Sequence, residues 1–224
     1  TWKSSRPTVA SVSNNGAVKA LEKGETVISV TTADGNKLAQ CTVTVQDGIS
    51  ISSFSELDSA LQGGYEIVSL KTTETGKFEI KGDYADVTLI VDAPNATVTN
   101  TGTFKKIQIN AISENTWIEN AQNNYLDLNA SKAHIIVGGS VAGLEINSGS
   151  KNIAVENNGT ISRIAINAAA TLDITGTNRT KIPVQSDATG AMIKTSIPLT
   201  VDATKEFAFH VRSGAETSTI SIVN

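Results

Sequence analysis

The 224-residue sequence has little of several residue types that mark common protein classes. Its single cysteine, Cys41, excludes an internal disulfide framework and a Cys-x-x-Cys metal site. Aromatic residues make up only 4% of the chain, which is low for a sugar-binding cleft. Charged residues make up 18%, without a run of one sign, so the sequence predicts no nucleic-acid partner.

No apolar run approaches the length of a membrane span, and no segment has the composition of a signal peptide. These absences predict a soluble mature fragment with no membrane insertion in this chain. The two histidines, His134 and His210, lack metal-type spacing to other ligands. We therefore expect no metal site and no cofactor.

A four-residue phrase recurs through the middle of the chain. Its copies start 19, 18 and 20 residues apart: IQIN at 107–110, LDLN at 126–129, LEIN at 144–147 and IAIN at 164–167. The two apolar residues of each copy share one face of a strand, because side chains alternate with period two. A period near twenty without helical spacing predicts a β-solenoid, and a right-handed parallel β-helix fits it best.

Two further marks accompany the phrase. A second series falls between its copies and predicts a second strand in each coil: TWI at 116–118, IIV at 135–137, IAV at 153–155 and LDI at 172–174. A glycine mark precedes some copies: GTF at 102–104, GSV at 139–141 and GTI at 159–161. Each coil is therefore expected to hold two or three short strands separated by turns.

The asparagine that closes each phrase is expected to stack on its counterpart about 4.8 Å away. Asparagine tolerates left-handed backbone angles, and its amide can hydrogen-bond along a ladder. The functional alternative is a row of ligand-facing amides. The residues concerned are Asn110, Asn129, Asn147 and Asn167.

Residues 1–45 alternate as short strands, with turns at Asn15-Gly16 and Asp34-Gly35. Residues 1–46 resemble the C-terminal half of a bacterial immunoglobulin-like group 2 domain. The residues on the family's pattern are Trp2, Pro7, Val9, Ala10, Gly16, Val18, Ala20, Gly24 and Cys41. The resemblance implies that upstream strands or a neighbouring domain complete the sandwich, and that the protein is secreted or on the bacterial surface. We expect Trp2 to be a buried core ring and Cys41 a small buried apolar group.

A short helix is predicted where the solenoid begins. Ser53 and Glu56 have the spacing of a capping box, and Gly63-Gly64 stops the helix. Its apolar face comprises Phe54, Leu57, Ala60 and Leu61. This helix, followed by glycine and a strand, resembles the N-terminal plug of pectate-lyase-like β-helices, which covers the end of the first coil.

The predicted fold class is therefore all-β, with a partial Ig-like sandwich followed by a short parallel β-helix. The Ig-like domain occupies residues 1–47 and the β-helix domain residues 48–224. Within the latter we predict a cap at 48–64, coils at 65–185 and a C-terminal cap of antiparallel strands at 186–224.

The middle residue of each phrase must point outward, which gives the row Gln108, Asp127, Glu145, Ala165 and Pro183. Asp127 and Glu145 would lie one coil apart, near the about 5–5.5 Å of a retaining glycosidase pair. They are the catalytic candidates that the sequence offers. No aromatic residue, Arg or His shares their row, and neither Arg163 nor Arg179 is expected beside them.

The corresponding outward row of the second series reads Trp117, Ile136, Ala154 and Asp173. Apolar residues outside a solenoid require a cover or a ligand. Either the C-terminal segment or the Ig-like module packs over them, or Trp117 and Ile136 form a ligand-binding patch for adhesion or carbohydrate stacking.

These observations favour a non-enzymatic module of the bacterial cell surface or extracellular space. It would act as an adhesin-like or presenting spacer protein, with a cell-surface glycan or a host or envelope protein as partner. The alternative is a carbohydrate-binding or polysaccharide-degrading protein, by analogy with pectate lyases. Near-constant coil lengths leave little room for a loop over an active site.

Overall fold

The computed structural model describes residues 1–35, 37–113, 116–147 and 152–222. The chain divides into two compact units, Thr1–Gly48 and Ile49–Asn224. Strands dominate both units, which confirms the all-β fold class. None of the described helices is long and apolar enough to cross a membrane.

The first unit consists of a three-stranded antiparallel sheet, in the order β1-β4-β5, and the two-stranded pair β2-β3. The turns at Gly16 and Gly35 have φ of +87° and +74°, so both glycines supply the left-handed conformation that a tight turn needs. The predicted hairpin turns are confirmed. The strands are β1 Trp2–Ser4, β2 Ala10–Val12, β3 Val18–Ala20, β4 Gly24–Thr31 and β5 Leu38–Val45.

The predicted burial of Trp2 and Cys41 is wrong. Trp2 is 38% exposed and its ring lies beside Gly16, while Cys41 is exposed on β5. Cys41 pairs with the buried Ile28, so both side chains emerge on the same face of the sheet. Every residue of β5 is half-buried or exposed, because the small core around Val9 and Ile28 does not reach that strand.

The helical cap forms as predicted. A turn of 3₁₀ helix, Phe54–Glu56, leads into α1, Leu57–Gln62. The Glu56 carboxylate accepts hydrogen bonds from the backbone N–H groups of Ser52 and Ser53, at 2.9 and 3.1 Å. Leu57 and Leu61 are buried in the same core as the first coil, and burial of each stabilises the fold by about 1.5–3 kcal/mol.

Beyond the cap, the chain coils between two sheets in which neighbouring strands are parallel from β7 to β24. Over the described residues the longer sheet contains β6 Gly48–Ile51, β7 Ile67–Lys71, β9 Asp83–Ala93, β11 Thr103–Ile112, β13 Asn124–Leu128, β15 Ser140–Ile146, β17 Thr160–Ile161, β18 Ile164–Ile166, β20 Ile182–Ser186, β22 Leu199–Ala203 and β24 Thr219–Ile222. The shorter contains β8 Gly76–Ile80, β10 Ala96–Asn100, β12 Trp117–Glu119, β14 Lys132–Val137, β16 Asn152–Asn157, β19 Thr171–Thr175, β21 Ala191–Thr195 and β23 Phe207–Val211. The result is a β-solenoid of about nine turns; its right-handed sense stays a prediction.

The core runs along the inside of the coils. Inward residues of successive coils stand directly opposite one another, and each is at most 1% exposed: Ile107, Leu126, Leu144 and Ile164. The register confirms that the recurring phrase aligns from coil to coil. The physical cause is that each coil can bury its apolar face only against its neighbours.

The C-terminal prediction is wrong. Instead of an antiparallel cap, β21 pairs in parallel with β23 and β22 in parallel with β24. The longer strands of this region alternate in the same way as those of the other coils, so they extend the stack. The coils predicted for 65–185 therefore continue to Ile222.

The glycine mark lies at one corner of the coil. There the backbone passes so close to the previous coil that a Cβ on Gly159 would overlap the carbonyl oxygen of Gly139, and one on Gly139 the carbonyl oxygen of Ala121. The following residues hydrogen-bond to those same carbonyls, as in Thr160 N–H to Gly139 O at 2.9 Å. Glycine is needed at this corner for space.

Candidate functional site

The outer face of the longer sheet carries the two predicted carboxylates. Asp127 lies directly opposite Glu145 on the next coil, as expected. The row then continues through Ala165 to Gln185, not to Pro183. The coil that leads from β18 to β20 is longer than predicted, because Val184 rather than Ile182 lies opposite Ile164.

Asp127 is already engaged by its neighbours. Its carboxylate is 2.6 Å from Nζ of Lys106 and accepts a hydrogen bond from the side-chain amide of Asn147. The residue is only 6% exposed, although it points away from the solenoid interior. A carboxylate that is held by a cation and an amide and is almost fully buried has little room to contact a substrate.

Glu145 is engaged by an aromatic hydroxyl and a guanidinium. Tyr125 donates a hydrogen bond to its carboxylate, and the Tyr125 hydroxyl accepts one from Arg163 at 2.6 Å. The Arg163 guanidinium is also 3.7 Å from the Glu145 carboxylate and lies over the Tyr125 ring, 5.2 Å from its centre. The expectation that Arg163 lies away from the carboxylate row is wrong.

The sequence signal for the group of Tyr125, Arg163 and Glu145 lies at the position just before each phrase. Tyr125, Gly143 and Arg163 immediately precede LDL, LEI and IAI, so they share one outward row. Gly143 is small because the Tyr125 ring lies across it, and a Cβ there would approach the ring to 2.6 Å. The middle residue of each phrase marks a different outward row, so the phrases by themselves do not indicate this one.

Burial, followed by the Glu145 carboxylate, raises the pKa of the Tyr125 hydroxyl, and Arg163 offsets part of that shift. Tyr125 is therefore protonated at neutral pH and is not a general base. Arg163 also forms one wall of a depression of about 380 Å³ on this face. The other polar residues lining it are Gln185, Asp202 and Thr204.

The prediction that Trp117 points outward is wrong. Trp117 is 0% exposed and pairs with Ile135, not with Ile136. A shift of one residue in register moves every side chain to the opposite face of a sheet. Ile136 does point outward and is half-buried, next to Ile118.

Trp117 instead belongs to a polar cluster inside the solenoid. Its indole N–H donates to the carboxylate of the buried Glu119 at 2.8 Å. Asn100 and Asn124 donate to the same carboxylate at 2.8 and 3.0 Å. Burial raises the pKa of Glu119, and these hydrogen bonds offset part of the shift. The cluster is enclosed, so it links coils and offers no access to a ligand.

The asparagine ladder forms in two parts. Asn129 donates to Asn110 at 3.2 Å, and Asn167 donates to Asn147 at 2.7 Å. The ladder is interrupted between Asn129 and Asn147, because the Asn147 side-chain amide donates to the Asp127 carboxylate instead. None of the four has a left-handed backbone, so their role is side-chain hydrogen bonding.

The outer face of the shorter sheet holds a depression of about 470 Å³. Its central row runs through His134, Ala154, Asp173 and Lys194 on four successive coils. Arg212 binds Asp173 through two hydrogen bonds, at 2.7 and 2.8 Å. The described residues include no group of three or more His, Cys, Asp or Glu that could hold a metal ion.

Comparison with known families concerns the first unit. Residues 1–43 match the bacterial Ig-like domain (group 2). This Ig-like segment agrees with the resemblance seen in the sequence and covers less than a fifth of the chain. No curated protein and no solved structure matched the chain.

Proposed function

We propose that this protein is a non-enzymatic, surface-type module in which the solenoid presents its outer faces for adhesion or spacing. The observation that carries the proposal is the state of the two outward carboxylates. Asp127 is paired with Lys106, and Glu145 is held by Tyr125 and Arg163. Both are committed to partners within the protein, which favours presentation over turnover.

The Ig-like segment and the solenoid support the same role, because both fit a surface-type module. About nine coils at about 4.8 Å each give a stack roughly 43 Å long. Side chains that pair from coil to coil hold its outer face in one arrangement. We place the protein at the bacterial surface or outside the cell, with a glycan or an envelope or host protein as partner.

The test has two parts. The intact chain is incubated with neutral and acidic polysaccharides, and released chain ends are counted beside Glu145→Gln and Asp127→Asn variants. We expect no release by any of the three proteins. Particles coated with the folded chain should adhere to cell-surface preparations, and particles coated with heat-denatured chain should not. Turnover by the wild type that Glu145→Gln abolishes would refute the proposal.

A second candidate is a carbohydrate-binding or carbohydrate-degrading protein. The observation that favours it is the group of Tyr125, Arg163 and Glu145 beside the 380 Å³ depression. An aromatic ring, a guanidinium and a carboxylate together suit a hydroxyl-rich ligand. Titration with neutral oligosaccharides would test it, with Arg163→Ala as the variant and the exposed Lys105→Ala as its control.

A further inference from the structure

The depression on the shorter sheet owes its shape to a small residue among large ones. Ala154 lies between His134 on one neighbouring coil and Asp173 on the other, so its methyl group leaves a gap in the outward row. Asn152 and Thr171 line the floor beside it. Two lysines, Lys132 and Lys194, also line this depression, which we call the Ala154 groove.

The charges around the Ala154 groove do not cancel. Asp173 is opposite Lys194, but its two carboxylate oxygens are bound by Arg212. The Glu156 carboxylate is 3.6 Å from His134. Within the described residues no carboxylate forms an ion pair with Lys194, which lines the groove.

We propose that the Ala154 groove binds the anionic group of an acidic oligosaccharide, either a sulfate ester or a uronate carboxylate. The anion would lie against Lys194, and sugar hydroxyls would meet the Asn152 amide and the Thr171 hydroxyl. A volume of about 470 Å³ is in the range of small-ligand sites. This inference names the ligand class of the proposed adhesive role and rests on that role.

Two other anionic partners fit the groove less well. Single-stranded nucleic acid needs aromatic rings on which bases stack, and among the described residues His134 is the only aromatic ring that lines the groove. An anionic membrane surface is recognised by clusters of about four to eight Lys or Arg. Among the described residues two lysines line the groove, and the whole chain carries a net charge of −4.

The experiment measures binding by calorimetry with the full chain. The probes are a sulfated oligosaccharide, a uronate oligosaccharide of the same length, a neutral oligosaccharide of that length, and inorganic sulfate. Lys194→Glu reverses the charge, and Ala154→Phe fills the groove without entering the core. Their controls lie on the same sheet outside the groove: Lys77→Glu for charge and Thr99→Phe for size. Thermal unfolding verifies that all four variants are folded.

We expect at least one acidic oligosaccharide to bind, and its affinity to fall about tenfold or more in Lys194→Glu and Ala154→Phe. The two controls should keep wild-type affinity, and added salt should weaken binding. Which acidic probe binds identifies the sulfate ester or the carboxylate as the recognised group.

Equal binding of the neutral oligosaccharide, no binding of either acidic probe, or no effect of the two groove variants would overturn the inference. So would inorganic sulfate binding as tightly as the sulfated oligosaccharide. If particles coated with Lys194→Glu still adhere, the Ala154 groove is not the adhesive site. The proposed adhesive function would not be affected by that result.

Discussion

Inside the solenoid, Ile, Leu and Val of successive coils stack in continuous rows, whereas on its outer face polar side chains pair with residues one or two coils away. The residues of the inner rows, such as Ile109, Leu128 and Ile146, are at most 1% exposed. The outer pairs, such as Lys106 with Asp127, are in contact with solvent on at least one side. The stability of the interior therefore depends on the shape and volume of its side chains. The stability of the exterior depends on many separate contacts, each worth about 1 kcal/mol or less.

The largest loss of stability should come from Trp117, an interior residue that the sequence pattern predicts on the outside. Trp117→Ala should lower the free energy of unfolding by about 4 kcal/mol, because it leaves a large cavity and removes a donor from Glu119. Denaturant titration gives this value. The outward neighbour on the same strand provides the control, since Ile118→Ala should cost much less. Equal losses in the two variants would contradict the burial of Trp117.

A smaller effect is expected at the glycine corner. Gly159→Ala should destabilise the protein by about 2 kcal/mol, because the new Cβ meets the Gly139 backbone, which cannot move aside without breaking the ladder. The adjacent exposed Thr160→Ala is the control and should be nearly neutral. If Gly159→Ala unfolds at the same denaturant concentration as the wild type, the close approach of the coils is wrong.

On the outer face, removal of the Tyr125 hydroxyl should cause the largest single loss of stability. Tyr125→Phe keeps the ring over Gly143 and removes the hydroxyl hydrogen bonds to Glu145 and Arg163, at a cost to stability of about 1 kcal/mol. Arg163→Ala in both backgrounds completes a double-mutant cycle. Strict additivity of the two changes would show that the hydrogen bond between the Tyr125 hydroxyl and Arg163 contributes nothing to stability.

The smallest effect is a change with pH. Burial raises the folded-state pKa of Glu119 above its unfolded value, so its contribution to stability is fully present below the unfolded pKa. That contribution is lost as pH rises through the folded pKa. The wild type should therefore lose stability relative to Glu119→Gln across this interval, which paired denaturant titrations would measure.

A parallel measurement uses Trp117, whose indole is bonded to the titrating carboxylate. Its fluorescence should change over the same pH interval in the wild type and not in Glu119→Gln. Trp2 contributes a constant background in both proteins. A stability difference that does not vary with pH would show that Glu119 does not titrate in this range.

Much of the solenoid was predictable because its interior repeats a simple pattern. Alternating Ile and Leu at 107–109, 126–128 and 144–146 defined both the strands and their register in the longer sheet. The helical cap followed from the spacing of Ser53 and Glu56. In the shorter sheet TWI is offset by one residue from IIV, so the spacing of the series predicts the wrong face for Trp117.

The candidate sites were less predictable, because they depend on pairs of residues far apart in sequence. Arg163 reaches Tyr125 across 38 residues, and Arg212 reaches Asp173 across 39. Nothing in the local pattern around either arginine indicates its partner. The sequence showed the carboxylates but not the cations that bind them.

By itself, the sequence determined the Ig-like segment, the solenoid period, the cap and the inward rows. These follow from local spacing and from the separation of apolar and polar side chains. Only the tertiary structure decided that the C-terminal strands continue the stack, that Trp117 is enclosed and that Lys194 has no carboxylate partner among the described residues. The physical reason is that each depends on the length of a turn, and a change of one or two residues there alters which side chains meet across the coils.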